Sequence, residues 1–198
     1  MKYIITTGPT AAGKDDLMDA MAGELKAEGI DAYKPWYYTT RKELRPGEQP
    51  GDKHLLSDKE FEAMRSRGEI PYPMENAGYQ IGYPQTELEK GEVVVMTLSG
   101  VDARRQRDKV REQGHEAFMI YLYAPKEDRI ERIRHRGGPD GQMTLIYEPA
   151  FEKVNNDAER ADLDSYADYD LRIENKEGKF NEIFAEIMPK VREFVHAR

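Results

Sequence analysis

The sequence contains no cysteine among its 198 residues. This absence excludes a disulfide scaffold, a thiolate metal site and a cysteine nucleophile. Histidine is scarce, and its positions (54, 115, 135 and 196) lack the spacing of a metal site. Excess positive charge is lacking as well: the formal net charge is -8 and the isoelectric point is about 5.2. That balance argues against a chain that coats nucleic acid or a membrane surface.

Long hydrophobic runs are also missing. The apolar start, YIITT at 3–7, meets Gly8 at once, so it is too short for a signal peptide or a membrane span. We expect a cytoplasmic protein, monomeric or homodimeric, with no nucleic-acid or membrane partner. The length suits one domain with a substantial core.

Strand patterns alternate with helix patterns along much of the chain. Near-continuous apolar runs are typical of parallel strands that are buried on both faces. The predicted strands lie at 3–7, 31–38, 93–98, 117–123 and 170–173. The predicted helices lie at 14–28, 99–113, 126–136, 150–163 and 179–196. This alternation predicts an α/β fold of three layers around a central parallel sheet.

Two stretches interrupt the alternation. Residues 39–85 are rich in Gly, Pro, Tyr and charge, with one short helix at 57–68 and a hairpin signal around 76–78. Residues 137–149 form a connection punctuated by Gly and Pro. Both are long for plain connectors, so we predict insertions that close over a ligand. The acidic stretch at 157–170 is interpreted as a solvated helix and loop.

Residues 8–16 read GPTAAGKDD, which matches the phosphate-binding pattern G-x-x-x-x-G-K between a predicted strand and a predicted helix. Such a turn exposes successive backbone N–H groups, and the helix start adds partial positive charge. The lysine would neutralise phosphate oxygens. We therefore predict a nucleoside triphosphate site here. Its predicted residues are Gly8, Thr10, Ala11, Ala12, Gly13, Lys14, Asp15 and Asp16.

The residue after Lys14 departs from the pattern, because Asp15 stands where Ser or Thr usually contacts Mg²⁺. A carboxylate is a good ligand for a hard cation, and the strand at 93–98 carries no acid that could replace it. Without metal, a carboxylate about 4 Å from a phosphate oxygen is repelled by roughly 4 kcal/mol. We predict that Asp15 binds Mg²⁺. The alternative is a first-turn acid favoured by the helix dipole, which is also the simplest interpretation of Asp16.

Four later segments resemble, in order, motifs of the guanylate kinase family. They read YYTTRKELRPGEQPGDKHLLSDKEFEAMRSRGE (37–69), GYQIGYP (78–84), RIERIRHRGG (129–138) and DYDLRIEN (168–175). The resemblance spans nearly the whole chain. An Asp after the loop lysine also occurs in relatives such as ribose 1,5-bisphosphate phosphokinase. Asp15 therefore resembles a subfamily variant, which argues against a retired enzyme.

The resemblance implies a P-loop kinase fold that uses ATP and Mg²⁺, with an inserted acceptor-binding region and a lid. It divides the chain into a core (1–38, 86–125 and 161–198), an acceptor region (39–85) and a lid (126–160). A small phosphate-bearing acceptor, such as a nucleoside monophosphate, would be the partner.

The same resemblance implies a set of catalytic residues and one nucleotide contact. The catalytic residues are Lys14, Arg41, Arg132 and Arg136, while Asn175 would lie near adenine. An acceptor monophosphate is already mostly ionised at pH 7, with a second pKa of about 6, so no general base is required. For the arginines, the alternative is a solvated helix face or surface pairing with nearby acids.

The acceptor region departs from the family pattern. The carboxylates that recognise guanine fall at Tyr72 and Thr97, which cannot accept two N–H groups as a carboxylate does, although Glu75 could replace one of them. The last lid arginine falls at Lys153, and the second phosphate-binding arginine is matched only with a gap. The resemblance thus implies a retained phosphate site with altered base recognition. The predicted substrate-binding residues are Arg41, Arg45, Lys53, Tyr72, Glu75, Tyr79, Tyr83 and Thr97.

Three functions stay open from the sequence. The first is ATP-dependent phosphoryl transfer to a nucleoside or deoxynucleoside monophosphate. The second is a sugar-phosphate kinase of the ribose 1,5-bisphosphate type, which needs anion-binding groups and no base-recognising carboxylate. The third is a non-catalytic guanylate-kinase-like binding module. The intact glycines and lysine of the phosphate-binding pattern argue against the third.

Overall fold

The computed structural model describes residues 1–44, 51–76, 78–98, 100–136, 148–166 and 168–197. The strands are β1 (Lys2–Thr7), β2 (Ala32–Tyr33), β3 (Tyr37–Thr39), β4 (Lys53–Leu55), β5 (Tyr72–Asn76), β6 (Tyr79–Tyr83), β7 (Val93–Thr97), β8 (Glu116–Tyr123) and β9 (Leu171–Glu174). The helices are α1 (Lys14–Ala27), α2 (Asp58–Ser66), α3 (Gln85–Leu88), α4 (Gly100–Glu112), α5 (Lys126–Arg136), α6 (Glu148–Asn156), α7 (Ala158–Asp164) and α8 (Phe180–His196).

The central sheet is parallel and has the strand order β2-β7-β1-β8-β9. Strand β1 lies in the middle, where Ile4 pairs with Val95 on one side and Phe118 on the other. The phosphate-binding pattern directly follows this central strand. The predicted parallel α/β sheet is confirmed.

Alternate residues of β1 bury themselves in two different core layers. Ile4 packs with Leu17 of α1 and Ile187 of α8 on one face of the sheet. Ile5, on the other face, belongs to a cluster that includes Ala103 of α4 and Tyr72 of β5. Burying both faces makes these strands apolar throughout, which is why their sequence predicted them well.

A second sheet, with the order β4-β3-β6-β5, is formed within residues 37–83. Strands β5 and β6 are an antiparallel hairpin, as predicted. Helix α2 begins after Ser57, whose side chain and that of Glu60 cap each other's backbone N–H groups. No helix within the described ranges is long and apolar enough to cross a membrane.

Two predicted elements are wrong in extent. The strand predicted at 31–38 is two short strands, β2 in the central sheet and β3 in the second sheet. They are separated by Pro35, which cannot donate a ladder hydrogen bond. The helix predicted at 150–163 is likewise two helices, α6 and α7, because Asp157 between them adopts a left-handed conformation with φ of 53°.

Candidate active site

The phosphate loop joins the end of β1 to the start of α1, and its glycines are required by close packing. A Cβ at Gly8 would lie 1.9 Å from the Leu122 carbonyl oxygen. Gly13 has a φ of 95°, and a Cβ there would lie 2.5 Å from Nδ2 of Asn175. Ala11 also has a positive φ, 62°. The loop is therefore held in one tight conformation against β8 and Asn175.

Lys14 is the first residue of α1 and bends back over the loop. Its Nζ donates to the Pro9 carbonyl oxygen at 2.9 Å. Asp15 and Asp16 follow in the first turn of the helix, and both are exposed. The two acids thus lie on the solvent side of the helix start, while Lys14 is partly buried against the loop.

Asp15 suits a magnesium ligand by its chemistry and position. Within the described residues there is no group of three or more His, Asp or Glu side chains able to hold a metal ion alone. Nucleotide-bound Mg²⁺ needs no such group, because phosphate oxygens and water complete its coordination around one or two carboxylates. A single exposed carboxylate beside the phosphate loop therefore fits the cation.

Arg132 and Asn175 meet on the loop's carbonyl side. The Arg132 guanidinium donates to the carbonyl oxygens of Ala11 at 3.3 Å, Ala12 at 3.2 Å and Asn175 at 2.9 Å. Asn175 is buried, and its Nδ2 donates to the Ala12 oxygen at 2.8 Å. Both predicted residues therefore contact the loop itself. The side chain of Arg136, at the end of α5, lies outside the described part of the chain.

Glu159 of α7 is a loop contact that the sequence did not predict. The N–H and hydroxyl of Thr10 donate to its Oε2 at 2.8 and 2.9 Å, and Lys153 Nζ lies 3.0 Å from its Oε1. Burial alone would raise the pKa of this carboxyl, but the charges of Lys14 and Lys153 and the Thr10 N–H outweigh it and lower the pKa. The interpretation of this acidic stretch as solvated is wrong at Glu159, whose side chain is 10% exposed.

The second sheet carries cationic side chains stacked on aromatic rings. The Arg41 guanidinium lies 5.7 Å from the centre of the Tyr79 ring, and Lys53 Nζ lies 5.6 Å from that of Tyr37. The rings of Tyr37 and Tyr83 meet edge to face, with centres 5.6 Å apart. Such stacking holds cations in defined positions. Arg45 lies outside the described residues.

The two positions that the resemblance assigns to guanine-recognising carboxylates use their polar atoms inside the protein. The buried Tyr72 donates its hydroxyl to Oε1 of Gln113 at 2.8 Å. Thr97 shares a 2.7 Å hydrogen bond with the Thr6 hydroxyl. Glu75 lies on β5, and its side chain is exposed.

Tyr83 joins the second sheet to strand β7 of the central sheet. It lies opposite Tyr72 in the β5–β6 hairpin, and its hydroxyl donates to the Thr97 carbonyl oxygen at 2.9 Å. Burial, with a further contribution from the charge of Asp15, raises the pKa of the Tyr83 phenol above its ordinary value. The phenol therefore stays protonated and acts as a structural donor.

Comparisons with known proteins bear on the fold and the family of the chain. No protein-family model matches the chain. A guanylate kinase of Trichormus variabilis is 27% identical over 183 residues, which cover 88% of this chain and 82% of that protein. A bifunctional ribose 1,5-bisphosphokinase-thymidine phosphorylase of Cupriavidus pinatubonensis is 31% identical over 148 residues, 72% of this chain and 23% of that protein. The crystal structure of guanylate kinase from Anaplasma phagocytophilum superposes with a TM-score of 0.62 at 18% identity, covering 98% of this chain and 86% of that one.

The superposition and the parallel sheet define the class, a P-loop kinase fold. The sequence similarities narrow the class further. The chain is a guanylate kinase-like P-loop kinase, which places it among the nucleotide-binding and ATP-binding transferases.

Proposed function

We propose that the protein transfers the terminal phosphoryl group of Mg-ATP to the phosphate of a nucleoside or deoxynucleoside monophosphate, with base recognition different from that of guanylate kinases. The observation that carries the proposal is the phosphate loop, in which Gly8 and Gly13 are sterically required and Lys14 begins α1. The stacked cations of the second sheet supply positive charge for an acceptor phosphate.

Catalysis in this proposal is alignment and charge stabilisation. Lys14 and the loop N–H groups would hold the β- and γ-phosphates, and Asp15 would hold Mg²⁺, which neutralises charge on the transferring group. Arg41, together with the predicted Arg45, would bind the acceptor phosphate through forked hydrogen bonds. The acceptor oxygen is already ionised, so no side chain needs to remove a proton.

Arg132, Arg136 and Lys153 are the proposed lid cations. Arg132 donates to loop carbonyl oxygens, so it would have to turn before touching a transferring phosphoryl group. Glu159 joins Lys153 to the loop, because it pairs with the Lys153 ammonium group and accepts a hydrogen bond from the Thr10 N–H. Asn175 is proposed to lie near adenine because it packs on the loop at Gly13. The three-part division of the chain, the cytoplasmic location and the monomeric or homodimeric state stay predictions.

A second candidate is a sugar-phosphate kinase of the ribose 1,5-bisphosphate type. It is favoured by Tyr72 and Thr97, which stand where the resemblance expects guanine-recognising carboxylates and whose hydroxyls are used in internal hydrogen bonds. A base-free acceptor would need no such carboxylate. The similarity to a ribose 1,5-bisphosphokinase-containing protein points the same way.

The test is ADP release from Mg-ATP with GMP, dGMP, AMP, dAMP, CMP, UMP, dTMP and ribose 1,5-bisphosphate as acceptors. A nucleoside monophosphate as the one strong acceptor supports the first candidate, and ribose 1,5-bisphosphate supports the second. Asp15→Asn, run alongside, should raise the Mg²⁺ concentration needed for half-maximal rate. Wild-type protein that transfers to none of these acceptors contradicts both candidates and favours the binding module.

A further inference from the structure

A carboxylate beside a phosphate loop needs an explanation, because it repels the ligand that the loop is built to bind. Glu159 accepts two hydrogen bonds from Thr10, one of them from a backbone N–H of the loop. Its side chain is 10% exposed. Two charges about 4 Å apart interact by roughly 4 kcal/mol at an effective dielectric of 20. An acid at this position therefore weakens phosphate binding unless it does something that compensates.

The compensating partner is Lys153 of α6. Its Nζ lies 3.0 Å from Oε1 of Glu159, while Thr10 occupies Oε2 of the same carboxylate. The carboxylate of Glu159 thus contacts both a cation of the predicted lid and the phosphate loop. The ion pair restricts a side chain that has four rotatable bonds.

The backbone that carries Glu159 is held in place independently. Asp157, two residues earlier, has its left-handed conformation at the joint between α6 and α7. Its carboxylate accepts a hydrogen bond from Arg129 of α5, whose side chain is 1% exposed. This ion pair, buried at its arginine end, ties α5 to the joint between α6 and α7, two residues before Glu159.

We propose that Glu159 is a positioning residue, which holds the Lys153 ammonium group at the edge of the triphosphate site so that it can stabilise the transferring phosphoryl group. The assignment rests on the proposed phosphoryl transfer. Glu159 itself need not touch the substrate. Its repulsion of the phosphates is offset by the cation that it brings.

The test is a double-mutant cycle on the full chain with Glu159→Gln and Lys153→Ala, measured in the best acceptor reaction. Each single variant should lower kcat about 10- to 100-fold, because a misplaced or missing cation costs mainly transition-state stabilisation. The KM for ATP should change less than about 3-fold, since ground-state binding is spread over the whole loop. The double variant should be no slower than Lys153→Ala, because residues that act as a unit are not additive.

Two further variants separate positioning from folding. Glu159→Asp keeps the charge and should retain more turnover than Glu159→Gln. Glu152→Gln changes an exposed acid next to Lys153 on α6, and it should behave like the wild type in kcat. A general loss of stability would instead lower the melting temperature and kcat together in every Glu159 variant, including Glu159→Asp.

Three results would overturn the proposal. The first is a double variant whose loss is the product of the two single losses, which would make the residues independent. The second is a Glu159→Gln protein with undiminished kcat and tighter ATP binding, which would make Glu159 a displaceable competitor of the phosphates. The third is wild-type kcat in Lys153→Ala.

If the wild-type protein transfers to no acceptor, the proposed function is contradicted. The pairing of Glu159 with Lys153 is then tested by the binding of inorganic triphosphate, which is measured as a rise in melting temperature. If Glu159 positions Lys153, Glu159→Gln tightens triphosphate binding more in the Lys153→Ala background than in the wild type. Equal effects in both backgrounds overturn the positioning role.

Discussion

The phosphate loop and the second sheet (β4-β3-β6-β5) present their proposed anion-binding groups in different ways. In the loop, the proposed binding groups are backbone N–H groups of residues 8–16, and two glycines allow the tight turn because a Cβ at Gly8 or Gly13 would meet Leu122 or Asn175. In the second sheet, Arg41 follows β3 and Lys53 lies on β4, and each of these cations lies over an aromatic ring of a neighbouring strand. A backbone-built site depends on a short motif, whereas a side-chain-built site depends on which strands become neighbours.

Lys14→Met should have the largest effect, because it removes the charge of the backbone-built site and keeps the side-chain length. We expect kcat to fall about 100- to 1,000-fold, as when one group that stabilises developing charge is lost. The melting temperature should change little. Lys26→Met, at the exposed end of α1, is the control. Retention of a tenth of the wild-type kcat in Lys14→Met would break the assignment of the loop.

Gly8→Ala should have the second largest effect, which is a loss of folding stability. A Cβ would clash with the Leu122 carbonyl oxygen. We therefore expect the free energy of unfolding, measured in urea, to fall by at least about 2 kcal/mol. Gly23→Ala is the matched control, since a Cβ there meets nothing within 4 Å in α1. Alanine is the better helix former, so this variant should gain up to about 1 kcal/mol. Equal stabilities would contradict the tight packing of the loop on β8.

Arg41→Ala tests the side-chain-built site. A forked bond to an acceptor phosphate contributes about 1.5–3 kcal/mol, so the KM for the acceptor should rise roughly 10- to 100-fold. The affinity for Mg-ATP alone should be unchanged, because Arg41 lies outside the phosphate loop. Lys42→Ala replaces the adjacent exposed cation and should leave both constants near wild type. Weakened ATP binding in Arg41→Ala would show that the regions are not independent.

Tyr83→Phe should have the smallest effect. It removes the hydroxyl that donates to Thr97, which costs about 1 kcal/mol of unfolding free energy. The ranking of acceptors should not change, because this hydroxyl is used inside the protein. A new acceptor preference in Tyr83→Phe would instead mean that the phenol contacts the acceptor.

The sequence predicted the elements that local patterns define and missed those that depend on distant contacts. The runs that became β1, β7 and β8 were predicted because strands buried on both faces are apolar throughout. The strand predicted at 31–38 failed because hydropathy does not show that Ala32–Tyr33 and Tyr37–Thr39 pair in different sheets. The division between α6 and α7 was not predicted because the left-handed conformation of Asp157 and its contact with Arg129, 28 residues away, leave no local sign in the sequence.

The candidate site was predictable where its geometry is local. Gly8, Gly13 and Lys14 form one motif, so their shared role follows from spacing. Glu159 was missed because its partner Thr10 lies 149 residues earlier, and nothing in an acidic helix distinguishes the residue that meets the loop. The roles of Tyr72 and Tyr83 were equally hidden, since a tyrosine in a hairpin can face a ligand or fill a core.

The sequence by itself determined the parallel α/β architecture, the phosphate loop and the resemblance to guanylate kinases, because apolar periodicity and glycine spacing are local properties of the chain. The tertiary structure alone decided that Glu159 joins Lys153 to Thr10 and that the hydroxyls of Tyr72 and Tyr83 are bonded within the protein. Those contacts join segments far apart in the chain, and only the packed core brings such segments within hydrogen-bonding distance.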